Sequence, residues 1–83
     1  MNITNVDVQI YERKNAYVNV EDILCFTFNQ NYDNYLSFLH NNGYLHPINN
    51  KAYVHESIIT TYLEQWGKQN IAEQLNDYIN MKK

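Results

Sequence analysis

In 83 residues the chain has one cysteine, one proline, two glycines and six basic side chains. The lone thiol, Cys25, excludes an internal disulfide and agrees with a reducing compartment. Two glycines, Gly43 and Gly67, leave no Gly-rich loop to cradle a phosphate, and both stand where helical patterns stop. No apolar run approaches the roughly 20 residues of a membrane span. The opening Met-Asn-Ile-Thr-Asn-Val-Asp lacks the basic and apolar regions of a signal peptide. A cytoplasmic protein with no membrane partner is therefore expected.

The scarcity of cations excludes more. Arg13, Lys14, Lys51, Lys68, Lys82 and Lys83 face nine acidic residues, for a net charge of −3. No basic stripe exists to neutralise phosphates, the main source of affinity for nucleic acid. Paired carboxylates at a recognisable site are also missing, and Cys25 between Leu24 and Phe26 reads as a buried, inert thiol. An enzyme is not expected, nor any cofactor.

What the chain does have is aromatic and amide-rich: eight Tyr, three Phe, one Trp and fourteen Asn. The apolar share suffices for one small domain spanning residues 1–83. The Asn, Ile, Tyr and Lys usage is what AT-rich codons produce, an association with phages, viruses and low-GC bacterial elements.

Val6, Val8 and Ile10 alternate with Asp7, Gln9 and Tyr11, the period of a half-buried strand over 5–11. A polar turn, Glu12 to Asn15, leads to a second extended piece at Ala16-Tyr17-Val18, which can pair back on the first. Asn19 is an N-cap, and the carboxylate of Asp22 is placed to meet the first-turn amides of a helix starting at Val20. This helix, with Ile23, Leu24 and Phe28 apolar, ends at Asn29-Gln30-Asn31. A second helix, Tyr32 to Asn41, carries Tyr32, Tyr35, Leu36 and Leu39 as one stripe and stops at Gly43. Tyr44–His46 and Ala52–His55 read as a hairpin around Asn49-Asn50, which puts Leu45 opposite Val54 facing inward. Tyr44, His46, Tyr53 and His55 then share the other face. A third helix from Glu56 to Gly67 shows Ile58, Ile59, Tyr62, Leu63 and Trp66 at helical spacing. Asn70 with Glu73 looks like a capping box for a fourth, with Ile71, Leu75, Tyr78 and Ile79 buried.

Strand, two helices, Asn-Gly-Tyr-Leu, hairpin and helix resembles the winged helix-turn-helix domains of small phage and mobile-element proteins, excisionase-like or antirepressor-associated. The residues carrying the resemblance are Tyr17 to Leu24, Tyr35 to Leu45 and Ala52 to His55, within 17–66. The implied class is α+β: a winged-helix-like domain with an N-terminal strand or hairpin, two helices, a β-hairpin wing and two C-terminal helices. The resemblance also implies that the solvent face of the second helix enters the major groove, with Asn34, Ser37, His40 and Asn41 at bases and Lys51 at phosphate. That helix, however, has Asp33 and no Lys or Arg.

His40, His46 and His55 fall within sixteen residues, but the closed tetrahedral set that zinc requires is not evident, and no metal is expected. Tyr and Trp bury interface area at low entropic cost while keeping a polar handle. Tyr44, His46, Tyr53 and His55 are thus the candidate partner-binding patch; helix four or a twin subunit is the alternative cover. The expectation is a non-enzymatic interaction module, a phage or mobile-element inhibitor or adaptor acting on a host protein. The alternative is a dimeric winged-helix DNA-binding regulator, and an oligomerising structural component stays open.

Overall fold

Asn19 closes a strand and opens a helix with one side chain: its Oδ1 accepts from the amides of Glu21 (3.0 Å) and Asp22 (3.1 Å). Such an N-cap satisfies amides that have no partner inside the helix. The computed structural model describes residues 3–27 and 32–83. A 3-10 turn, Ile3–Asn5, precedes strands β1 (Val8–Tyr11) and β2 (Asn15–Asn19). Helices α1 (Val20–Thr27) and α2 (Tyr32–Asn41), strands β3 (His46–Ile48) and β4 (Lys51–His55), and helices α3 (Glu56–Gln65) and α4 (Gln69–Lys82) follow. The class is α+β, with one four-stranded antiparallel sheet in the order β1-β2-β4-β3.

One face of the sheet takes the helices. Val8, Ala16, Val18 and Val54 point inward and join Ile23, Tyr35, Leu39, Ile59, Leu63, Leu75 and Ile79 in one buried core. Fully burying a side chain of this size is worth about 1.5–3 kcal/mol. Ala72 belongs to the same core; small residues escape a search for large apolar stripes. Val54 is fully buried, and Leu45, the residue before β3, packs half-buried against the same core.

Both helix stops use glycine in the left-handed region, Gly43 at φ +70 and Gly67 at φ +73. After α2 the amides of Gly43 and Tyr44 donate to His40 (3.1 Å) and Leu39 (2.8 Å). After α3 those of Gly67 and Lys68 donate to Glu64 (3.1 Å) and Leu63 (2.8 Å). These are paired Schellman caps. They explain two departures from expectation. Tyr44 is consumed by the α2 cap, so β3 begins at His46. Lys68 closes α3 while its carbonyl already accepts from Ala72 (3.0 Å), so α4 starts at Gln69 without a side-chain cap and the Asn70–Glu73 box is not used. The β3–β4 turn is Asn49-Asn50, both at positive φ (50 and 67), as a two-residue hairpin demands.

The first strand is shorter than 5–11 because the Asp7 amide donates to the Asp22 carboxylate (2.9 Å) rather than to a ladder. Asp22 thereby ties the α1 start to the strand instead of capping its own helix. Phe28, the expected helix end Asn29-Gln30-Asn31, and the side chains of Leu24, Cys25, Phe26 and Tyr32 lie outside the described residues. Among the described residues no helix is long and apolar enough to cross a membrane.

Candidate functional site

Strand parity sends the odd-numbered residues of β1, β2 and β4, with His46 and Ile48 of β3, to the face away from the helices. The registers Tyr17↔His55, Asn19↔Tyr53 and His46↔Tyr53 bring their side chains together there.

Tyr17 is the centre. Its ring stacks on His46 (4.5 Å between centroids, 21° between planes) and meets the edges of His55 (5.2 Å) and Tyr11 (5.6 Å). The rings of Tyr11, Tyr17 and His46 border a shallow groove of 360 Å³ completed by Asn15, Pro47 and Ile48 and rimmed by Glu12. His46 is exposed and Tyr11 is 43% exposed. His55 is fixed. As N-cap of α3 its Nδ1 accepts from the Ser57 amide (3.2 Å) and contacts Ser57 Oγ (2.8 Å), while Nε2 faces Asn15 Oδ1 (3.1 Å). An acceptor at Nδ1 leaves the ring proton on Nε2, which donates to Asn15.

The opposite end of the same face is polar and closed. The Tyr53 hydroxyl donates to the Asp7 carboxylate, which also accepts from Gln9 Nε2 (2.8 Å). The bond to Asp7 first, and burial second, push the Tyr53 hydroxyl pKa up. Asp7, Glu21 and Asp22 line a cleft of 370 Å³ together with Lys51.

Of the four expected patch residues, the structure keeps His46 and His55 on one face and corrects the other two. Tyr53 is not an exposed contact: it is only 3% exposed, because Asp7 reaches over the strands to its hydroxyl. Tyr44 is not on this face, since the α2 cap turns it toward Phe38 (5.7 Å between rings). There it borders a second cleft, of 230 Å³, between α2 and α3 with Ile58, Thr61 and Tyr62. Phe38 (4.8 Å) and Trp66 (6.0 Å, 49% exposed) pack against Tyr62, and fully buried Tyr35 (5.3 Å) ends the row. Burial pushes the hydroxyls of Tyr35 and Tyr62 up in pKa. Tyr11 and Tyr17, which the patch expectation omitted, were readable from their alternation with Ile10, Ala16 and Val18.

The residues expected at DNA, Asn34, Ser37, His40 and Asn41, are all exposed on α2, as is Asp33. Lys51 is exposed too but shares its cleft with three carboxylates. The registers put Arg13 and Lys14, in the β1–β2 turn, at the His55 end of the sheet, away from Lys51. Lys83 pairs with Glu56 (2.9 Å), and Lys82 lies over the Tyr78 ring (5.2 Å). No group of three His, Cys, Asp or Glu placed to hold a metal ion occurs among the described residues. Compared with protein-family models, with curated proteins and with solved structures, the chain finds no match.

Proposed function

We propose that the chain is a non-enzymatic interaction module that binds a partner protein through the ring-bearing face of its sheet, acting as an inhibitor or adaptor by occupying that partner's surface. The observation that carries this reading is the cluster of Tyr11, Tyr17, His46 and His55 on the sheet face away from the helix-packed core. Rings already held against one another lose little entropy on docking and bring large contact area. The groove has no Lys or Arg in its lining, Glu12 stands at its rim, and the carboxylates of Asp7, Glu21 and Asp22 lie farther along. A partner with cationic side chains around an apolar patch fits this distribution, since tyrosine ring faces accept cations and acidic rims steer them.

A winged-helix build is part of the proposal. The α1–α2 pair enters between β2 and β3, and β4 returns to lie between those strands. The same connectivity, with exposed Asn34, Ser37, His40 and Asn41, favours the second reading, a DNA-binding regulator. Against it stand the absence of Lys and Arg from α2 and the carboxylates around Lys51.

The deciding experiment measures fluorescence anisotropy with duplex DNA at low salt alongside capture of partners by the native chain and by Tyr17→Ala and His46→Ala variants. The proposal expects no DNA binding and a captured protein that both variants lose. Salt-sensitive DNA binding, or capture indifferent to both substitutions, overturns it.

A further inference from the structure

The two edges of the sheet are built differently. The Asn19 amide donates to the Asp7 carbonyl (2.9 Å), so the odd-numbered residues of β1 and β2 exchange the ladder bonds between those strands. On β2 the even-numbered groups must then face β4, and the Ala16 amide indeed donates to Glu56 at that side (2.8 Å). On β1 the amides and carbonyls of Val8 and Ile10 face the other way, to the open edge. Among the described residues no hydrogen bond reaches them.

At the β3 edge the same parity turns Pro47 outward. His46 and Ile48 face Tyr53 and Lys51, which leaves the residue between them, Pro47, on the far side with no N–H to offer. β3 is also only three residues long. Short strands and proline are how sheets blunt an edge, and charge is another. β1, Val-Gln-Ile-Tyr, is one residue longer than β3 and carries neither proline nor charge.

We propose that β1 is a strand-addition site whose occupant is the β1 of a second copy, joining two sheets into one of eight strands across a two-fold axis. Antiparallel pairing of Val8 with the second copy's Ile10, and of Ile10 with its Val8, is the register that uses both outward residues of each strand. It makes four main-chain hydrogen bonds. The fit is self-complementary on both faces. Val8 and half-buried Ile10 meet on the helix side and extend the core layer. On the ring side Gln9 meets its own copy at the axis, and exposed Tyr11 stands opposite Asp7, so no like charges face each other. This inference does not rest on the proposed partner, since it uses the outward main chain of β1; Tyr11 is the residue shared with the groove. A pair of strands this short belongs with weak, concentration-dependent interfaces.

Sedimentation over rising concentration, with amide exchange of Val8 and Ile10, tests it. The native chain is expected to dimerise, and those two amides to gain protection as it does. Gln9→Lys sets two cations at close range on the axis and is expected to weaken association by about tenfold or more. Ile10→Pro removes an outward donor without touching the β1–β2 ladder and is expected to abolish the dimer. Should Ile10→Pro fail to fold, Gln9→Lys and native-state exchange still decide. A monomer at every concentration overturns the proposal. So does a dimer that both variants leave intact, or a β1 edge protected only by a different protein.

Discussion

Replacing Glu56 tests how the sheet hands over to α3. β4 ends at His55, one residue before the position that would bond the outward amide of Ala16. Glu56 supplies that bond from its side chain, with Oε2 2.8 Å from a residue that is fully buried. Lys83 approaches the same carboxylate at 2.9 Å, both side chains being about a fifth exposed (23% and 17%). Removing the acceptor leaves a buried N–H unsatisfied, a penalty of about 1–3 kcal/mol. The loss of an acid from the first turn of α3 adds about 0.3–1 kcal/mol. The ion pair is near the surface and contributes about 0–1 kcal/mol. Glu56→Ala is therefore expected to cost about 2–3 kcal/mol in urea unfolding followed by circular dichroism. Glu56→Gln keeps an acceptor and is expected to cost roughly half as much, and Lys83→Ala less than about 1 kcal/mol. Most of the Glu56→Ala loss must persist at high salt, because a buried hydrogen bond is not screened. Equal losses for Glu56→Ala and Lys83→Ala, both erased by salt, refute this account.

Three other changes probe separate joints of the fold. His55→Ala removes the α3 cap and is expected to lower stability by about 1 kcal/mol, whereas His55→Asn, which can accept from the same amide, retains most of it in the same unfolding assay. Gly43→Ala meets open space but keeps φ +70, so its cost, about 1–2 kcal/mol, is conformational; Gly43→Asn is expected to cost less, and an alanine variant as stable as the native chain would contradict the cap. Tyr35, Tyr53 and Tyr62 hold their protons above the ordinary tyrosine value, so the folded state binds more protons once unfolded tyrosines ionise near pH ~10. Stability is expected to be unaffected by these groups below that pH and to fall as pH rises through it, with delayed tyrosinate absorbance in the folded protein; a flat stability over that range contradicts the burial of these hydroxyls.

Most elements were legible because their determinants are local. The bounds of α2 follow from a stripe of apolar residues and a glycine stop. The hairpin register follows from Asn49-Asn50, which tolerates the positive φ of a two-residue turn, and α1 starts where Asn19 can cap it. The errors lie where one residue serves two elements. Lys68 and Tyr44 finish one helix cap each, and so shift the starts of α4 and β3 in ways that spacing alone does not register. The joining of the two hairpins through β2 and β4 was also outside local reading, since it pairs residues about half the chain apart.

For the site, parity and depth behave differently. Alternation along a strand assigns a face, and it assigned His46, Tyr53 and His55 to the same one correctly. It says nothing of what lies above that face. Tyr53 is covered because Asp7, 46 positions earlier, is held over it by its own bonds to Gln9, Asn19 and Asp22. Tyr17, at the same level as His55, has rings rather than a carboxylate for neighbours and stays accessible at the groove. The difference between a buried tyrosine and an accessible one on one sheet face thus rests on which end Asp7 occupies. Replacing Asp7 with alanine is expected to expose Tyr53 and extend the ring surface toward Lys51. That would show as a rise in the number of tyrosines titrating at their ordinary pKa, from a protein whose groove rings are otherwise unchanged.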